Sequence, residues 1–364
     1  MIKGMLPVLA VGLIPLVAGC AAESGDSTDP SGSSSAAVTT SADVAVTAAD
    51  AAPEVGSSPL AAGLYQSAYS ARNRVLWVTS AVGRPPVKTS ALYKVNPRTR
   101  EIVATYVPPV TDTATGALEA VYGVAVDDEH NNVWVTNTRN NSVAVYNQKT
   151  GEHLASLPGV AHAREVVVDE LHNVAWATGV TDGTIVGFDT RTFAEKRRVT
   201  VQGANPAGLA VNKWTGTVYA TDLKNAQIIE VSPRSETPRL IPTGAGPISI
   251  DLSRDGRTAY TADQTAGTLS VVDLRQGKVT KTIPTGTGAL SLATNPRTGD
   301  VLVVNRGSAT VSVVDVDEGV VRETITTNAN PNHVTFGGGT AFIVDKSAAG
   351  ADRKDTLYTA TFCH

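Results

Sequence analysis

Residues 133–147 read VWVTNTRNNSVAVYN, two runs of alternating apolar residues separated by a polar turn. Alternation with a period of two on both sides of a turn predicts a β-hairpin. The phrase returns as AYTADQTAGTLSVVD at 259–273 and as VLVVNRGSATVSVVD at 301–315. A bulky residue marks the first strand of each copy, at Trp77, Trp134, Trp176, Tyr219, Tyr260, Leu302 and Phe342. After a first interval of 57 residues these markers stand 40–43 residues apart. Three positions further on comes a turn-prone residue: Ser80, Asn137, Gly179, Asp222, Asp263, Asn305 or Asp345. Self-similarity at this period is the mark of a repeat architecture.

Each period divides into four strand-sized pieces. From residue 246 they are PISIDLS, AYTAD, TLSVVD and KVTKTIPTG, with turns at Arg254-Asp255-Gly256 and Gln276-Gly277. Gly in such pairs supplies the positive φ of tight hairpins. No amphipathic helix interrupts the repeats. The pattern therefore predicts an all-β chain, a seven-bladed β-propeller of four-stranded antiparallel blades. WVTN from Trp134 to Asn137, the SVAVYN after it and the IPTGAGP phrase leading to Ile250 make the chain similar to the YVTN family of β-propellers. The resemblance covers residues 60–364 and is weakest in blade one (LWVTS) and blade seven (AFIVDK). It implies an exported seven-bladed propeller, and it brings no consensus catalytic residue to transfer. The seventh unit stops after a third strand, TLYTATFCH, so a segment before blade one must supply the fourth. The strand-like DVAVT at 43–47 is the expected donor, closing the last open edge of the ring.

The N-terminus predicts an address. Lys3 precedes an apolar run from Met5 to Val17, shorter than the ~20 residues of a spanning helix, so 1–19 reads as a signal peptide. The run ends in Val17-Ala18-Gly19-Cys20, which resembles the lipobox of bacterial lipoproteins. That resemblance implies cleavage before Cys20 and lipidation of its thiol. Residues 20–58 carry no aromatic side chain and are rich in Ser, Ala and Asp, as expected of a lipid-anchored flexible linker ahead of a propeller at 59–364. The expected location is the cell membrane, on its extracytoplasmic side. Cys20 and Cys363 are the only cysteines, so lipidation of Cys20 leaves no internal disulfide and the core must hold the fold. A net charge of −4 argues against a polyanion partner, so nucleic acid is not expected.

The repeat also shows where the chain departs from itself. The second-to-third-strand loops of blades one (81–90) and seven (346–356) are longer than in the regular units, and 108–119 is inserted between blades one and two. All three fall on one face, and clustered insertions on one face of a repeat protein point to a binding surface. Its candidate binding residues are Arg84, Lys88, Arg139, Asn140, Arg306, Lys346, Arg353 and Lys354, with Lys224 and Asn141 in the same loops. Arg and Lys there suit charge-assisted bonds to a carboxylate or phosphate. The inner strands align at Gln66, Gly123, Glu165, Gly208, Ser249, Ser291 and His333, a ring around the channel mouth. Glu165, Asp251 and His333, with His162, Arg164 and Asn332 nearby, are the only candidates for acid–base work, and they come from different blades. His130 and His172 occupy equivalent hairpin tips and read as shared ancestry.

No haem, Walker, nucleophile-elbow or zinc spacing is present, so no cofactor or metal is expected. The sequence favours a non-enzymatic, membrane-tethered binding or scaffold protein whose loop face at blades seven, one and two recognises an envelope protein, peptide or glycan. The alternative is a lactonase-like hydrolase with a polar or metal site at the channel mouth, since lactone-hydrolysing propellers also have seven blades.

Overall fold

The computed structural model describes residues 52–348 and 350–362. They form seven four-stranded antiparallel sheets arranged as the blades of a propeller. In blade two the inner strand is Val121–Asp127, followed outward by Asn132–Asn137, Ser142–Asn147 and His153–Pro158. The marker residues that define the repeat sit on the second strands and are all buried. Trp134 packs with Val143 and Val145 against Ala175, Val186 and Phe188 of blade three. Seven such apolar clusters occur, one between each pair of neighbouring blades. Burial of apolar surface between blades therefore holds the ring, at ~25 cal/mol for each Å² removed from water.

Blade seven takes its inner three strands from Pro331–Gly337, Thr340–Asp345 and Thr356–Thr361. Its outer strand is Glu54–Pro59, paired in register from Glu54↔Thr361 to Pro59↔Thr356. An N-terminal segment thus closes the ring, but the closing position is filled by 54–59. Residues 43–47, the segment expected there, lie outside the described residues.

Each inner strand carries one extra residue near its start, a β-bulge that bends the strand and re-aims its side chains. In blades one to four two residues stand opposite one threonine. In blade two, Val121 pairs with Asn137 and Val124 with Val135, leaving Tyr122 and Gly123 opposite Thr136. In blades five to seven the extra residue is Ile248, Leu290 or Asn332. One bulge residue per blade thus comes to stand at the start of the inner strand, Tyr65, Tyr122, Arg164, Ala207, Ile248, Leu290 and Asn332, and of these Tyr122, Arg164, Leu290 and Asn332 line the central channel.

Strand direction places the three insertions on one face, with the mouth. The second strand of blade one runs Val75–Val82 and the third Thr89–Val95. Between blades one and two, Val110–Asp112 pairs with Ala117–Leu118 as a short hairpin. Leu118 N–H donates to Val87 O at 2.8 Å, tying this hairpin to the blade-one loop. Ala81, Val87 and Ala120 form a small apolar cluster under which Tyr65 packs. Asp355 anchors the blade-seven loop: its backbone exchanges hydrogen bonds with Leu60 and Ala61, and its carboxylate accepts from Leu64 N and Ala348 N. Among the described residues no helix is long and apolar enough to cross a membrane.

Candidate functional site

Of the ring positions, Gln66, Glu165, Ser249, Ser291 and His333 line a central cavity of about 330 Å³. Its wall is mostly occupied in joining blades. Gln66 Oε1 accepts from Val124 N of blade two at 3.3 Å, while its Nε2 donates to Glu165 Oε2 of blade three at 3.1 Å. Gly123 lies beneath this crossing. A Cβ there would stand 2.4 Å from Arg164 O and 2.8 Å from Thr136 Oγ1, so only glycine fits. Ser249 Oγ accepts from Leu292 N, Ser291 Oγ from Val334 N, and His333 Nδ1 from Ser67 N at 3.3 Å, each reaching the next blade.

Glu165, Asp251 and His333 all reach the channel wall, and each is committed there to a structural hydrogen bond. Burial pushes the Glu165 carboxyl above its ordinary range, against the opposing pull of Arg164 at 3.5 Å and the Gln66 amide. Burial raises Asp251 as well, although it accepts from the backbone N–H groups of Leu252 and Thr294, both at 2.8 Å. The Thr294 bond joins blade five to blade six. His333 is pushed down to about 3 by burial, with Arg164 adding to the effect. Because a backbone amide can only donate, its Nδ1 must be the acceptor, and the imidazole is neutral with its proton on Nε2. Among the described residues no group of three or more His, Cys, Asp or Glu side chains is placed to hold a metal ion.

The loop-face candidates separate into two sets. Arg84, Lys88, Arg353 and Lys354 are exposed on the rim. Asn140 has a structural task, its Oδ1 accepting from Ala120 N at 3.0 Å. Arg306 and Lys346 come together at the mouth, where Arg139 lies close enough to act on Tyr65 electrostatically.

The mouth is the densest piece of chemistry on this face. The Tyr65 and Tyr122 rings lie 4.6 Å apart, and Lys346 Nζ sits 3.7 Å from the Tyr65 ring centroid. Arg164 stands 5.9 Å from the Tyr122 centroid and reaches across the channel to donate to Ile248 O at 3.3 Å. Arg306 donates to Asn332 Oδ1, and Asn332 Nδ2 donates to Tyr65 O. Burial lowers Arg306, with repulsion from Arg164 adding to it, and brings Lys346 down to about 8. Burial raises the Tyr65 phenol, which therefore stays neutral. Tyr65 and Tyr122 are absent from the sequence-derived candidates. An alignment of the seven units one position before the ring residues would have exposed them: Tyr, Tyr, Arg, Ala, Ile, Leu, Asn.

No family model matches the chain. The uncharacterized protein YncE of Salmonella typhi is 25% identical over 234 residues, covering 60% of this chain and 64% of the relative. YncE of Escherichia coli O157:H7 is 24% identical over 246 residues, covering 63% of this chain and 67% of the relative. The match to the Salmonella protein thus spans less than two thirds of that relative's length. Among solved structures, a streptogramin B lyase superposes with a TM-score of 0.69 at 14% identity, covering 86% of this chain and 99% of the lyase. Virginiamycin B lyase from Staphylococcus aureus gives 0.66 at 15% identity, covering 85% of this chain and all of the lyase. At such identities the likeness is one of fold: the chain is a seven-bladed β-propeller with sequence similarity to YncE.

Proposed function

We propose that this is an exported YVTN-type propeller, lipid-anchored through Cys20, whose loop face at blades seven, one and two binds an envelope protein, peptide or glycan. The observation that carries this reading is the mouth, where Arg306 and Lys346, neither of them in an ion pair among the described residues, gather with Tyr65 and Tyr122.

A lactonase-like hydrolase is less well supported, even beside lyases of similar fold, since fold does not carry activity. Glu165, Asp251 and His333 spend hydrogen-bonding capacity on blade junctions, and a general base needs its lone pair free for substrate. The test is recovery of partners from intact envelopes, comparing wild type with chains trimmed at 81–90 and 346–356. Loss of partner on trimming, and release of a Cys20→Ala chain from the membrane, are the expected results. Equal recovery from both chains would end the assignment of the face, and a membrane-bound Cys20→Ala chain would end that of the anchor.

A further inference from the structure

The mouth holds donors without acceptors. Among the described residues neither Arg306 nor Lys346 has an ion-pair partner. Arg306 Nε is buried with no hydrogen-bond partner, and the guanidinium makes one hydrogen bond, to the Asn332 amide oxygen. Lys346 Nζ rests on the Tyr65 ring and donates to no oxygen. The Tyr65 and Tyr122 hydroxyls are likewise unpartnered within the described residues. Partly desolvated cations short of acceptors are costly unless something else supplies oxygen atoms. The nearby carboxylates do not. Asp345 raises Arg306 electrostatically, but it accepts from Ser347 N and forms no ion pair with Arg306 or Lys346 among the described residues. Asp355 is taken by two backbone amides, and Glu165 faces Arg164 and Gln66.

The arrangement is also one-sided. Blades seven, one, two and three contribute Asn332, Tyr65, Tyr122 and Arg164, while blades four to six contribute Ala207, Ile248 and Leu290, which form an apolar cluster. Drift in solvated loops would scatter charges around the rim. Here they converge on two tyrosine rings tilted against each other.

We propose that the channel mouth is an oxyanion site: Arg306 and Lys346 hold a carboxylate or phosphate group of the ligand, with the Tyr65 and Tyr122 hydroxyls as neutral donors. This deepens the reading of the face as a binding surface and rests on it. The ligand carries a negative group, and a neutral glycan leaves the donors unmet. Arg164, pinned to Ile248 O and Glu165, adds positive potential from across the channel.

Calorimetric titration of the full chain with sodium succinate, inorganic phosphate and glucose tests this. Saturable binding of succinate identifies a carboxylate site and of phosphate a phosphate site, with glucose giving none. Arg306→Gln and Lys346→Met, checked for unchanged melting, are each expected to weaken the bound anion about tenfold, as loss of one charge-assisted bond implies. Arg353→Gln with Lys354→Gln on the rim changes it less than about twofold. If the mouth variants fail to fold, wild type alone decides. With Lys346 titrating near 8, anion affinity holds below that pH and falls between pH 8 and 9.5. No saturable binding of either anion, undiminished binding by the folded mouth variants, or a flat pH profile overturns the site. The two readings fail separately. Absent anion binding with loop-dependent partner recovery removes only the oxyanion site. Anion binding with loop-independent recovery removes only the partner face.

Discussion

Thr136 stands opposite two bulged residues, and its hydroxyl supplies hydrogen bonds that the bulge takes from the ladder. It accepts from Gly123 N at 2.7 Å and donates to Arg164 O of blade three at 2.9 Å. Thr79 and Thr178 repeat this double role at the equivalent places, Thr79 towards Tyr122 O and Thr178 towards Ala207 O. The third letter of the WVTN phrase is therefore an inter-blade clamp. Thr136→Val keeps the shape and removes both bonds, so it should cost about 1–3 kcal/mol in urea unfolding, with Thr136→Ser milder. Equal midpoints for valine and wild type would refute the clamp. His333 makes a comparable junction with a pH signature. Folding holds its imidazole neutral down to about 3 against an ordinary value of 6.5. The unfolded chain protonates first as pH falls. The stabilisation is thus complete above 6.5 and is lost progressively from there towards 3. Between pH 7 and 5 the stability of wild type relative to His333→Gln should shrink by about 1–2 kcal/mol. A difference that stays constant with pH would show the junction to be untitrated.

Among the elements, the closing strand decides whether the ring has an open edge. Glu54–Pro59 reads EVGSSP, with an exposure pattern that buries none of its side chains fully. It is chosen by backbone pairing with Thr356–Thr361, which an outer strand achieves with almost any side chains. That is why hydrophobic alternation pointed to 43–47: DVAVT looks more like a strand, and EVGSSP gives little side-chain signal. A chain beginning at residue 52 should melt with the longer one, whereas a chain beginning at 60 should melt about 10 °C lower or more, having lost a whole ladder. Equal melting from 52 and from 60 would refute the role of this strand. The blade-one insertion was legible as extra length. Its union with the inter-blade hairpin, through Leu118 and Val87, was not.

At the scale of the molecule, a net charge of −4 coexists with a cationic mouth because bulk charge averages over faces that the fold separates. Seven near-equal units make seven near-equal interfaces, and around the channel the symmetry is broken at the bulges. There the ring presents aromatic and charged groups from blades seven to three and aliphatic ones from four to six. Of the candidates named from sequence, Arg306 and Lys346 gather at this break, Arg139 flanks it, and Arg84, Lys88, Arg353 and Lys354 remain on the solvated rim. Loop membership located the face but could not rank its charges, since ranking needs burial and partners.

The sequence by itself determined the number of blades, the four-strand unit and the seven buried markers from Trp77 to Phe342. These follow from alternation and turn chemistry within some forty residues, which are local properties of the chain. It also placed the insertions on one face, because antiparallel strands make the face a matter of counting. Only the tertiary structure decided which residues meet at the axis. Tyr65 and Lys346 are far apart in the chain, and their contact exists once Glu54–Pro59 has closed the ring and brought blades seven and one together. The polar letters of the repeat shared that fate. Whether a threonine caps a turn or joins two blades depends on the neighbouring blade, which no single repeat contains.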